Sequence, residues 1–126
     1  MEALQPHTVS KNRFDYIITG AGCAGLSLLM RMMEDDYFLD KQILLIDASP
    51  KQINDRTWCF WEAGTGLFES IVKHSWSKVQ FASDDFSGLL DLGPYQYKMI
   101  EGLDFYQLVL NKAKLLTIFI SYKKPY

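Results

Sequence analysis

Six residues, Gly20-Ala21-Gly22-Cys23-Ala24-Gly25, constrain this chain more than any other stretch, because they join two apolar patterns of different period. The run before them, Phe14-Asp15-Tyr16-Ile17-Ile18-Thr19, is apolar and β-branched and stops at a glycine, the pattern of a buried parallel strand. After them, Leu26, Leu29, Met30 and Met33 fall at i, i+3, i+4 and i+7, which places one apolar stripe on a helix of about three turns. A second short apolar run, Gln42-Ile43-Leu44-Leu45-Ile46, closes on Asp47. Strand, glycine turn, helix, strand and terminal acid, in that order, make a βαβ unit.

Each glycine has its own task in such a unit. Gly20 permits the tight turn out of the strand, Gly22 removes a side chain that would block an approaching phosphate, and Gly25 lets helix and strand pack closely. The helix N-terminus carries unpaired N–H groups and a positive dipole end, which together stabilise a pyrophosphate. Asp47 lies 22 positions after Gly25, where a carboxylate accepts hydrogen bonds from a ribose hydroxyl. Its charge repels a 2′-phosphate, so FAD or NAD suits the site better than NADP. The cofactor-binding candidates are therefore Gly20, Ala21, Gly22, Cys23, Ala24, Gly25 and Asp47, with the adjoining Ala48. Leu29 is bulkier than the small residue common at that helix position, which predicts a slightly wider helix–sheet contact. The fold class expected is α/β, a Rossmann-like FAD/NAD(P)-binding domain on a parallel sheet.

Composition narrows the remaining choices. At 126 residues the chain holds one domain's worth of material, read as a leader over 1–13 and a partial nucleotide-binding domain over 14–126. The net charge of −2 offers no basic field for nucleic-acid phosphates, so no nucleic-acid partner is expected. Apolar runs such as residues 115–120 are far shorter than the ~20 residues a spanning helix needs, and the first eleven residues are not signal-like. Cys23 and Cys59 lack metal-type spacing and read as reduced cytoplasmic thiols; His7 and His74 stand alone, and no metal site is expected.

Beyond Asp47, residues 48–63 read as a loop plus a short extended segment opened by a Ser49-Pro50 turn. Residues 67–74 read as a short helix, Val79-Gln80-Phe81 as a half-exposed strand, and residues 95–100 as another strand. Asp104 is placed to cap a helix running through Phe105, Leu108 and Val109 to about Lys114. Residues 115–122 form a β-rich run.

Trp58 and Trp61, with Phe60 between them, call for either a core or an apolar ligand surface. Asp55 and Arg56 just precede them; the guanidinium could reach a pyrophosphate with the carboxylate orienting it, or the two could form a solvated ion pair. The whole segment Asn54-Asp55-Arg56-Thr57-Trp58-Cys59-Phe60-Trp61-Glu62, following Gly20 to Gly25 and Leu26-Ser27-Leu28, resembles the amino-terminal part of bacterial lycopene β-cyclases. Tyr95-Gln96-Tyr97-Lys98-Met99-Ile100 and Asp104-Phe105-Tyr106 resemble the family's next block, so the likeness covers residues 14–114.

That resemblance implies a FAD-dependent enzyme of carotenoid synthesis, related in fold to the flavoprotein hydroxylases. Its substrate would be lycopene or a related carotene. In the implied reaction a proton adds to one end of the polyene, the cation closes a six-membered ring, and loss of a proton leaves a β-ionone ring, with no net redox change. Reduced FAD would be a bound participant and NAD(P)H its reductant. Beside the cytoplasmic location read from the cysteines, the resemblance implies peripheral contact with the membrane. Arg56 joins the cofactor-binding candidates, and Trp58 and Trp61 are substrate candidates whose ring faces stabilise a passing cation.

The family's acidic motif would lie beyond residue 126, so no catalytic residue is assigned and the domain is expected to be truncated. Two other readings stand beside this one: a different FAD-dependent oxidoreductase, such as a hydroxylase or desaturase, or a non-catalytic gene fragment. On the leading reading the isolated chain binds FAD poorly and cyclises no lycopene; robust ring formation by the purified chain would overturn it.

Overall fold

The computed structural model describes residues 13–116 and 118–122. The expected leader therefore lies outside the described residues except for Arg13, as do the last four residues. In chain order the elements are β1 (Tyr16–Thr19), α1 (Cys23–Met33), β2 (Ile43–Asp47), β3 (Thr57–Ala63), β4 (Val72–Trp76), β5 (Lys78–Ala82), β6 (Ser87–Asp91), β7 (Tyr95–Glu101), α2 (Gly102–Leu115) and β8 (Phe119–Tyr122). They divide into two compact units. One holds the described residues up to Pro50 and those from Val109 onward, and the other is Lys51–Leu108.

The first unit is a parallel three-stranded sheet in the order β1-β2-β8. Ile18 lies opposite Leu45, and Asp47 opposite Tyr122. The stripe read from the sequence is the buried face of α1: Leu26, Leu29, Met30 and Met33 are all inside, joined by Met32. Fully burying side chains of this size contributes roughly 1.5–3 kcal/mol each. The helix lies on the face of the sheet that carries Ile18, Ile43 and Leu45, all buried. The opposite face is not covered to the same degree, and Ile17 stays 57% exposed. The expectation of a fully buried first strand thus holds for one face only, because a single helix layer covers a single face. Leu29 is accommodated with no exposure at all.

The second unit is antiparallel, with one sheet in the order β3-β7-β4 and a separate β5-β6 hairpin. The loop and extended segment expected over 48–63 resolve into the seven-residue strand β3, paired along its whole length with β7. The short helix expected over residues 67–74 is not formed: only a 3₁₀ turn, Glu69–Ile71, precedes β4. β7 offers a free edge there, and the β-branched start of β4 pairs with it, across an irregularity between Val72 and His74. Val79-Gln80-Phe81 is indeed in a strand, β5, with a partner strand β6 that had no clear sequence signal.

A buried lysine pins this unit. Lys98, in the central strand β7, is 2% exposed, and its ammonium donates to Glu62 Oε1 at 2.8 Å, Glu69 Oε2 at 2.6 Å and the Gly64 carbonyl at 2.6 Å. An ammonium has three donors, and all three are used. Gly66 keeps room for the arrangement, since a Cβ there would stand 2.1 Å from the Glu62 carboxylate. The hydrogen bonds to Glu62 and then Glu69 raise the Lys98 pKa above the ordinary 10.5, against an opposing effect of burial. A lysine raised in the folded state stabilises it fully below the unfolded pKa, and that contribution is lost as pH climbs through the higher folded value. Lys98→Met is expected to lower the thermal unfolding midpoint by several degrees at pH 7–9. The gap to the parent should narrow above about pH 10.5, measured by circular dichroism melts across the alkaline range; a gap that stays constant there would exclude the charge as the cause.

Among the described residues no helix is long and apolar enough to cross a membrane.

Candidate functional site

The glycine turn is built as its spacing requires. Gly20 has φ +97°, a backbone conformation that other residues adopt only under strain. Its N–H donates to the Ile46 carbonyl at 2.7 Å, which fixes the turn to the end of β2. At Gly25 an added Cβ would lie 1.9 Å from the Gly20 carbonyl oxygen and 3.3 Å from Ile18 Cγ2, so the first turn of α1 rests directly on β1. Gly22 is different: a Cβ there would meet nothing within 4 Å. The third glycine serves packing and the second faces open space.

Gly22 is also the N-cap of α1, with no side chain capping it and no acid in the first turn. The exposed Cys23 and Ala24 open the helix, while Ala21 is wholly buried beneath it. Asp47 closes the arrangement from the neighbouring strand. Its Oδ2 accepts from Ala21 N at 2.6 Å and its Oδ1 from Ser49 N at 3.1 Å. The structure therefore brings Gly20, Ala21, Gly22, Cys23, Ala24, Gly25, Asp47 and the exposed Ala48 together at the C-terminal ends of β1 and β2. Ligands of open parallel sheets bind outside that end.

Sequence reading passed over one member of this group. Tyr122, the last residue of β8, is the register partner of Asp47. Burial and then the Asp47 charge push its phenol above the usual value of 10.0. The signal was slight, since a tyrosine in a β-rich run acquires a place at the site only when a third parallel strand is laid beside β2. A cavity of about 80 Å³ also occurs in this unit, between the end of α1 and the start of β2 at Ile43, away from the strand ends that carry the site.

The Asn54 to Trp58 segment has a clear local role in the second unit. Asn54 Oδ1 accepts from Leu103 N at 3.2 Å, the Arg56 carbonyl accepts from Gly102 N at 2.7 Å, and Asp55 Oδ1 accepts from the Tyr106 hydroxyl at 2.7 Å. Half-buried Trp58 meets Phe105 and Tyr106 edge-to-face at 5.2 and 5.8 Å. The segment thus seats the start of α2. Two expectations change here. The helix begins at Gly102 rather than at a cap on Asp104, and Asp104 lies in its first turn, 3.4 Å from Lys73 Nζ. Asp55 is held by Tyr106, so it serves the helix rather than orienting the exposed Arg56 side chain. Trp61, on the other face of β3, is 55% exposed.

A model of the family described as lycopene cyclase protein matches residues 15–119, spanning the glycine turn, Asp47 and the Asn54 to Trp61 run. Among the curated proteins none matches the chain.

The two glycines should separate by experiment. Gly25→Ala forces helix and strand apart and is expected to cost about 1–3 kcal/mol of stability. Gly22→Ala meets only open space and should cost under about 1 kcal/mol, the range of an N-cap change. Urea unfolding of both variants checks this; equal losses would mean that the turn is not packed as described.

Proposed function

The chain belongs to the lycopene cyclase family, and from that premise we propose that its parallel-sheet unit is the Rossmann-like half-site holding the ADP portion of FAD in a carotene-cyclising enzyme. The observation that carries the reading is the contrast between the glycines. Gly25 is filled by its own strand, while the space over Gly22 is open beside an uncapped helix N-terminus. A diphosphate fits there: small residues let it approach the first N–H groups, and the helix dipole stabilises its charge.

The remaining residues divide the task. Asp47, held against the turn through Ala21 N, receives the adenosine ribose hydroxyls and disfavours a 2′-phosphate by charge. Ala48 leaves room beside it. Gly20 sets the turn, Ala21 anchors it, and Cys23 and Ala24 keep the helix entrance free of bulky side chains. Family membership implies a carotene substrate, and the reaction proposed is acid-catalysed closure of a β-ionone ring on lycopene. Bound FAD, reduced by NAD(P)H, supplies the flavin that this non-redox cyclisation requires. The protein would meet its hydrocarbon substrate at the membrane periphery.

Titration of the purified chain with ADP and FAD, followed by isothermal calorimetry, tests the reading. Measurable binding, weak or strong, should fall at least about tenfold in Gly22→Val, a loss of about 1.4 kcal/mol. Asp47→Asn should narrow the preference for ADP over adenosine 2′,5′-bisphosphate. Binding that is indifferent to both substitutions would sink the assignment.

A further inference from the structure

The β3-β7-β4 sheet has a second face that neither packs the unit nor enters the reading above. Antiparallel partners share a face, so the register places two ranks of side chains across the three strands. Trp61, Tyr97 and Trp76 form one rank, and Cys59, Met99 and His74 form the next. The rings of the first rank face each other at shallow angles: Trp61 and Tyr97 are 4.5 Å apart at 33°, and Tyr97 and Trp76 are 6.0 Å apart at 38°. His74 continues from Trp76 at 5.9 Å and 31°. The neighbouring Cys59 thiol, on the same face, raises the Tyr97 phenol above its usual range, so it stays protonated.

Three observations select an occupant. The surface is exposed, with Trp61 55% and Trp76 42% accessible on either side of Tyr97, and a contiguous exposed aromatic patch of this kind marks an interaction site. Its charge pattern matches an uncharged molecule: neither rank carries an acid, a lysine or an arginine. Glu101 lies beyond the second rank, 3.8 Å from Lys73, an ammonium it shares with Asp104. Aromatic faces and sulfur atoms are polarizable and favour contact with an extended π-system over contact with water. With strands about 4.8 Å apart, the rank spans about 10 Å, enough for a segment of a long rod.

We propose that the rank Trp61-Tyr97-Trp76, with Cys59, Met99 and His74 beside it, seats one end of a linear conjugated polyene hydrocarbon. This rests on the family reading for the class of substrate, and it assigns to that substrate a surface of which only Trp61 had been a candidate.

The test uses lycopene dispersed in detergent and titrated with the full chain, read by the circular dichroism that an achiral polyene acquires only when held by an asymmetric site. The parent should induce a visible-range signal. The double variant Trp61→Leu/Trp76→Leu should lose it or weaken apparent affinity at least about tenfold. Trp61→Phe/Trp76→Phe, which keeps the rings, should retain most of it, and an unchanged far-ultraviolet spectrum certifies the fold of each. Squalane, a saturated branched hydrocarbon, should compete poorly. No signal from the parent, a leucine pair that binds as well as the parent, or equal competition by squalane overturns the proposal. So does a dimer that the leucine pair dissolves, because the face would then belong to a second copy. ADP binding measured on the same samples keeps the two readings apart. Gly22→Val should weaken it at least about tenfold and spare the polyene signal, whereas the leucine pair should do the reverse.

Discussion

The distance between two glycines governs the first unit. Because the Gly20 carbonyl occupies the place where a Gly25 side chain would stand, α1 starts in van der Waals contact with the strand it follows. That contact fixes where the helix N-terminus lies, and Ala21, Leu26, Leu29, Ile18 and Leu45 are all buried around it. It also sets the turn beside the end of β2, where Asp47 takes the Ala21 N–H. One steric fact thus orients a helix, seals a small core and assembles a polar mouth. The open space above Gly22 is a by-product of the same geometry, since a helix held so low leaves its entrance uncovered.

The second unit is organised by a different economy. Its inner sheet face holds the Lys98 ammonium among two carboxylates and a carbonyl, a polar pin that is tolerable in a small core because every donor is satisfied. On the same side Trp58 packs on the start of α2, which Asn54 and the Arg56 carbonyl hold by its first N–H groups. The outer face has none of these ties. Strand alternation delivers Trp61, Tyr97 and Trp76 there whatever the inner face requires, and the result is an uncharged aromatic surface on a rigid support. The ties that hold the unit lie on one side of the sheet, and the proposed polyene seat lies on the other.

The most distinctive stretch of the sequence, Asn54 to Trp61, therefore has a double meaning. Asn54, Asp55 and Trp58 are constrained by α2, whereas Trp61, three residues on and on the opposite face, touches the ring of Tyr97 and stays 55% exposed. Residues adjacent in such a motif need not share a role. Period two in a strand separates them more sharply than any difference in side-chain chemistry.

What the sequence determined by itself was local. The glycine spacing, the stripe Leu26, Leu29, Met30 and Met33, and the acid closing Ile43 to Ile46 are short-range patterns, and β1, α1 and β2 formed where those patterns lay. Asp47's place beside the glycine turn was legible for the same reason, because strand ends in a βαβ unit are neighbours by construction. Pairing at long range was decided only in three dimensions. Residues 67–74 carry enough helical character to mislead, yet β7 offers β4 hydrogen bonds that no local window can anticipate. Tyr122 reaches Asp47 only when β8 crosses back to β2, and His74, Trp76, Tyr97 and Trp61 become a single surface only through the β3-β7-β4 register. Helices and turns are specified by neighbours in sequence, but a sheet face is specified by partners far along the chain, and this protein's aromatic surface is such a face.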